Sequence, residues 1–126
     1  MKKSAIQLDL PVFKKRIEEE DVGSFTDDFA PGFYIGQVNP ITGKKEGLGV
    51  RIYLSEKPSP QDERIPPEKI VAVYEGEWQA EMREGKGLEV YANKDIYLGL
   101  FHWNQRQGKG KLLKHATGET YTGEWF

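Results

Sequence analysis

The sequence predicts an all-β protein: an elongated single-layer antiparallel sheet of stacked β-hairpins, with an N-terminal capping segment that includes a short helix. Three observations predict it. The phrase Tyr-x-Gly-x-apolar occurs four times, at Tyr34/Gly36/Val38, Tyr74/Gly76/Trp78, Tyr97/Gly99/Phe101 and Tyr121/Gly123/Trp125. The first three copies are each answered by a Gly-x-Gly, at Gly47 and Gly49, Gly85 and Gly87, and Gly108 and Gly110. The steps from Tyr74 to Tyr97 and from Tyr97 to Tyr121 are 23 and 24 residues, which suits two short strands and two turns. Repetition at a short fixed period means that one supersecondary unit is stacked and buries its apolar face against its neighbours.

Taken in chain order, residues 1–33 are expected to form the cap. Val12, Phe13, Arg16, Ile17 and Glu20 fall at helical spacing with an apolar side, and Val22, Phe25 and Phe29 follow. Such a segment, part helix and part extended, is expected over one sheet face or the first edge strand, because solenoid ends need protection. Residues 34–126 form the repeat domain of about three and a half hairpins. The step from Tyr34 to Tyr74 is 40 residues, and the excess falls in an inserted surface loop at 55–70. There Pro58, Pro60, Pro66 and Pro67 exclude a central strand.

In the second unit, a turn at Ala80 and Glu81 is expected to set Gly76 opposite Gly85 and Tyr74 opposite Gly87. In the third, Tyr97 is expected opposite Gly110 and Gly99 opposite Gly108. Each ring then lies over a residue with no side chain, a pairing that also pins register. At the hairpin tips Gly43 and Asn104 tolerate positive φ, whereas Glu81 does not, which predicts a strained or differently shaped second tip. The strand at 96–102 is apolar on both sides: Tyr97 and Phe101 face one way, Ile96, Leu98 and Leu100 the other. Leu88 and Val90, with Leu48, Val50 and Ile52, join the second set, so cover on both faces is expected. The fourth unit begins its strand at Tyr121 without a Gly-x-Gly, read as a cut longer chain or as an edge completed by another chain.

The pattern Tyr-x-Gly-x-(Trp/Phe), a variable tip, Gly-x-Gly and a return to Tyr resembles the MORN repeat (membrane occupation and recognition nexus). The resemblance covers residues 33–126. The chain departs from the pattern at Val38, where an aromatic is expected, at Glu81 in place of a tip glycine, and at Asn93, Lys94 and Asp95, which lack the glycine usual between units. The resemblance implies a scaffold role in cytoskeletal and membrane-associated assemblies. It also implies two alternatives: an anionic-membrane module that takes phosphoinositide or other anionic phospholipid, and the targeting or regulatory part of a larger enzyme such as a lipid kinase or lysine methyltransferase.

Composition narrows the classes. A length of 126 residues suits one domain with a modest core. Net charge of −2 provides no overall field to draw in nucleic acid. The chain has no cysteine, which excludes disulfides and thiolate metal sites. No apolar run reaches the roughly eighteen residues of a membrane span, and the first thirteen residues lack a secretory pattern, so the expected address is cytoplasmic, peripheral to membrane or cytoskeleton. His102 and His115, the two histidines, have no nucleophile or relay at a suggestive spacing and read as surface residues. Asp27 with Asp28, and Glu18 to Asp21, lack the context of a metal loop. Gly85-Lys86-Gly87 and Gly108-Lys109-Gly110 resemble phosphate cradles only superficially, since no helix follows them. No catalytic residue, metal or cofactor is expected.

What remains is the aromatic row: Tyr34, Tyr74, Trp78, Tyr97, Phe101, Tyr121 and Trp125, repeating along one face. In a single-layer sheet part of this row is expected to line an open groove for a partner protein, an extended peptide or an amphipathic helix. Lys86, Lys109 and Lys111, with Arg83, Arg106 and Lys114 nearby, form a basic stripe suited to anionic lipid, opposed by Glu75, Glu77, Glu84 and Glu124 on the same strands.

Overall fold

The computed structural model describes residues 31–57, 61 and 65–126, together with the backbone of Val22–Thr26. Among the described residues eight strands follow one another: β1 Val22–Thr26, β2 Gly32–Val38, β3 Lys45–Leu54, β4 Ile70–Gln79, β5 Met82–Tyr91, β6 Ile96–His102, β7 Gln105–Leu113 and β8 Thr120–Trp125. They form one antiparallel sheet in chain order, each strand pairing with its sequence neighbours. A single 3-10 turn, Pro67–Lys69, interrupts the all-β pattern among the described residues. The helix expected between residues 12 and 20 lies outside them, but Val22–Thr26 does pair along the first edge, against β2.

The register differs from the expected one by two residues. Gly76 faces Gly87, and Tyr74 faces Glu89. Gly99 faces Gly110, and Tyr97 faces Leu112. The cause is the first glycine of each Gly-x-Gly, which adopts positive φ (88° at Gly47, 85° at Gly85, 87° at Gly108) and sits in a bulge. Between Trp78↔Arg83 and Gly76↔Gly87, β5 thereby takes four residue steps against two on β4. Once the bulge has absorbed the slack, Gly23, Gly36, Gly49, Gly76, Gly87, Gly99, Gly110 and Gly123 stand side by side, one on every strand.

The hairpin tips also depart from expectation. Ala80 and Glu81 have φ of 48° and 73°, and Trp103 and Asn104 have 48° and 66°, so the two tips share one shape, with positive φ at both central residues. Left-handed backbone at a non-glycine residue costs roughly 1–2 kcal/mol. A tertiary contact offsets that cost at Glu81: its N–H donates to the Lys45 carbonyl at 3.0 Å, and its carboxylate accepts from the Lys45 backbone N–H and, at 3.0 Å, from Lys45 Nζ. Lys94 at φ 71° likewise takes the left-handed turn position that Gly118 takes, at 73°, before β8. The inserted loop is closed at its base, where Ser55 N–H donates to the Lys69 carbonyl at 2.8 Å.

The two faces are buried unequally. On the face opposite the tyrosines, Ile52, Leu54 and Val73 form a buried cluster, with Phe33, Val50, Ile70 and the loop residue Ile65 packed against it. Farther along the same face, Leu98, Leu100 and Leu113 are 58%, 36% and 40% exposed. Among the described residues, cover on this face comes from the inserted loop through Ile65, packed on the β3 and β4 cluster, while the N-terminal segment expected to cover a face lies outside them.

Candidate functional site

The glycine row is a trough into which the tyrosines fall. A Cβ at Gly87 would overlap the ring of Tyr74, and one at Gly110 would lie 2.6 Å from that of Tyr97, so the rings occupy the space that side chains would need. Each ring leans forward along its own strand, and its hydroxyl donates to the carbonyl three residues on: Tyr34 to Gln37 at 2.6 Å, Tyr74 to Glu77 at 2.8 Å and Tyr97 to Leu100 at 2.9 Å. One ring thus spans a bulged β-pair and ties it shut. Burial raises the pKa of Tyr34, Tyr74 and Tyr97 above that of a free phenol, which keeps these hydroxyls protonated as donors.

All seven residues of the predicted row meet in one continuous chain of rings. The order is Tyr34–Trp78–Tyr74–Phe101–Tyr97–Trp125–Tyr121, with centroid separations of 5.0–5.4 Å and interplanar angles of 79–88°. Edge-to-face contacts of this kind contribute about 0.5–1.5 kcal/mol each beyond the area they bury. Trp78 is anchored further by its indole N–H, which donates to the Gly49 carbonyl at 3.1 Å, whereas the equivalent N–H of Trp125 is buried with no acceptor. Val38, standing where an aromatic was expected, packs on this cluster without extending the chain of rings.

Most of the row is interior. Tyr34, Tyr74 and Tyr97 have no exposed surface, Phe101 and Trp78 are 3% and 5% exposed, and Tyr121 is 51% exposed. Five of the seven rings therefore do not line an open groove; Tyr121 is exposed, and Trp125 and Leu112 are half-buried. Elsewhere the rings are roofed by cations that the sequence reading did not assign to this face. Lys45, Arg83 and Arg106 each stand two residues before the first glycine of a Gly-x-Gly, and this repeated spacing was the available signal. Lys45 Nζ lies 5.5 Å from the Tyr34 ring, Arg83 lies 5.6 Å from Tyr74 and 5.1 Å from Phe101, and Arg106 lies 4.9 Å from Tyr97 and 5.2 Å from Trp125. Arg51, stacked 4.6 Å from Tyr53, is buried on the same face.

The other singled-out residues do not join this row. His102 and His115 are exposed, and His102 bonds Glu84 at 2.9 Å while stacking on Trp103. Among the described residues no cluster of His, Asp or Glu is arranged to hold a metal. An open depression of about 450 Å³ is lined by Gln37, Leu48, Glu77 and Trp78 among others, and two of its polar side chains hold backbone amides. Gln37 accepts from the Leu48 N–H at 2.6 Å, and Glu77 accepts from the Lys86 N–H.

A bulged hairpin tied by one tyrosine and stacked through alternating rings is the unit of an open repeat sheet, and the comparison with protein families agrees. The MORN repeat model matches residues 74–96 and 97–114, the second and third units, so the chain carries MORN repeats there. The first unit lies outside the matched residues yet has the same tyrosine tie and glycine pair. No curated protein matches the chain. Among the described residues no helix is long and apolar enough to cross a membrane.

Proposed function

We propose that this repeat module is a non-catalytic scaffold that binds a partner protein, as an extended peptide or amphipathic helix, along the tyrosine face where that face opens towards β8. The observation that supports the reading is the continuous row of seven edge-to-face rings along one face, bordered by Leu112 and Arg106 and with Tyr121 exposed. Exposed aromatic surface beside half-buried Leu112 and Trp125 and the cationic head of Arg106 has the composition of a binding hot spot. Truncating Trp78 or Phe101 would test the fold, since both are core residues. The informative variant is Tyr121→Ala combined with Leu112→Ser. Affinity capture from the source cell should lose its partner with this double variant while the melting temperature stays within a few degrees of the parent. Undiminished capture would rule the open face out.

The opposite face favours a second reading, as a surface for anionic membrane. Lys86, Lys109 and Lys111 are exposed there beside Leu98 and Leu100. Of the four opposing carboxylates, Glu75 is buried, Glu77 caps the Lys86 amide and Glu84 bonds His102, which leaves Glu124 facing Lys109. Sedimentation with phosphatidylserine or phosphoinositide vesicles that is lost at raised salt, and lost in the triple Lys→Ala variant, would support this reading. Equal sedimentation with neutral vesicles would dismiss it.

A further inference from the structure

The hairpins β2–β3, β4–β5 and β6–β7 all turn at one edge of the sheet, because strands paired in chain order alternate in direction. Their tips, at 39–44, 80–81 and 103–104, stand side by side: the Glu81 N–H donates to the Lys45 carbonyl at 3.0 Å, and the Asn104 N–H to the Arg83 carbonyl at 3.1 Å. Two of the tips hold large apolar side chains out in water. Ile41 is 92% exposed and Trp103 65% exposed. A following hairpin does not cover such places: Gln79 and Ala80, which correspond in the second unit to His102 and Trp103, are exposed although the third hairpin stands beside them.

Tryptophan is a costly residue at this tip. Its φ of 48° is left-handed, Ala80 serves the same turn with a small side chain, and the exposed indole gains no burial to offset the strain. The ring is nevertheless fixed: it stacks on His102 at 4.9 Å and 19°, His102 pairs with Glu84 at 2.9 Å, and Glu84 also accepts the Trp103 N–H at 3.3 Å. Ile41 is held by Asn39, whose Oδ1 accepts the N–H groups of Ile41 at 2.8 Å and Thr42 at 3.0 Å. The Gly43 N–H donates to the Asn39 carbonyl at 2.8 Å and the Lys44 N–H to Thr42 Oγ1 at 3.2 Å. The backbone N–H groups of residues 41–44, 103 and 104 are thus all satisfied within the chain, so both tips can leave water without baring an amide.

We infer that Ile41 and Trp103 insert into a lipid bilayer, entering the boundary between headgroups and acyl chains. This rests on the membrane reading above and names the residues that enter the bilayer. Two anchors on one edge, two hairpins and about 20 Å apart at the usual strand spacing, meet a flat target together. An indole, apolar with a single N–H, suits that boundary. His102 alternates onto the face of Leu98 and Leu100, so Trp103 stands at the rim of the lysine face and one bilayer touches both. The local charge agrees: Lys44 is exposed beside Ile41, and the carboxylates that flank the tips, Glu46, Glu81 and Glu84, are engaged by Asn39, Lys45 and His102.

The test uses the full chain and vesicles of phosphatidylcholine with phosphatidylserine, the phosphatidylcholine brominated on its acyl chains to quench any tryptophan that enters them. Parent fluorescence should be quenched on binding, and the quenching should be absent in Trp103→Ser, which retains Trp78 and Trp125. The double variant Ile41→Ser with Trp103→Ser, both at exposed places, should keep the parent's melting temperature and bind about tenfold or more weakly. Vesicle binding with unquenched fluorescence, or with the double variant as tight as the parent, would overturn the inference and leave the lysine face as the membrane surface. No binding of the parent to these vesicles would overturn both.

Discussion

Replacing Glu75 with Gln should stabilise the protein at neutral pH and remove part of its pH dependence. Glu75 is 2% exposed, its Oε1 has no hydrogen-bond partner, and in the sheet it stands between Val50 on β3 and Leu88 on β5. Burial alone raises its carboxyl from 4.5 to about 7. The folded chain therefore holds this proton more tightly than the unfolded chain, and stability contributed by the protonated form is complete below pH 4.5 and lost as pH rises through about 7. At 1.36 kcal/mol for each tenfold change in proton affinity, ionisation costs the folded state about 3 kcal/mol, less whatever water reaches the oxygens. Urea unfolding followed by tryptophan fluorescence should show Glu75→Gln about 2–3 kcal/mol more stable than the parent near pH 8, converging with it near pH 4.5. Parallel stability curves across that window would refute the reasoning.

Other consequences follow from the zipper of rings. Gly110→Ala should lower stability by about 2 kcal/mol or more in thermal unfolding, because the new Cβ would lie 2.6 Å from the Tyr97 ring, whose edges are held by Phe101 and Trp125. Tyr97→Phe should cost about 1 kcal/mol through loss of the bond to the Leu100 carbonyl, while Tyr121→Phe, at a half-exposed ring, should be nearly neutral by the same measurement. Glu81→Ala should destabilise by about 1–2 kcal/mol in denaturant titration, since it strips a buried lysine of its anion, whereas a gain in stability would mean that the left-handed backbone of Glu81 dominates.

The repeat was legible because the zipper depends on residue types that nothing else replaces. Only glycine leaves space for a ring over the strand, and only tyrosine fills that space and reaches the carbonyl beyond it, so the spacing of Tyr and Gly announced the hairpins, the inserted loop and the seven-residue row. The register was misread by two residues because a bulge is a backbone event: Gly47, Gly85 and Gly108 look in sequence like the glycines that follow them, and only φ distinguishes the two roles. The cation roof was missed for a related reason, since a lysine or arginine in a strand reads as a solvated charge until the ring beneath it is placed.

What the sequence determined by itself is therefore the unit: its length, its glycine trough and the aromatics that tie it. Only the tertiary structure decided how these units share an exterior. Whether a ring is covered depends on a cation brought across it from a neighbouring strand, as Lys45 lies over Tyr34 and Arg83 over Tyr74 and Phe101. Contacts of that kind join residues on different strands, so no local pattern encodes them.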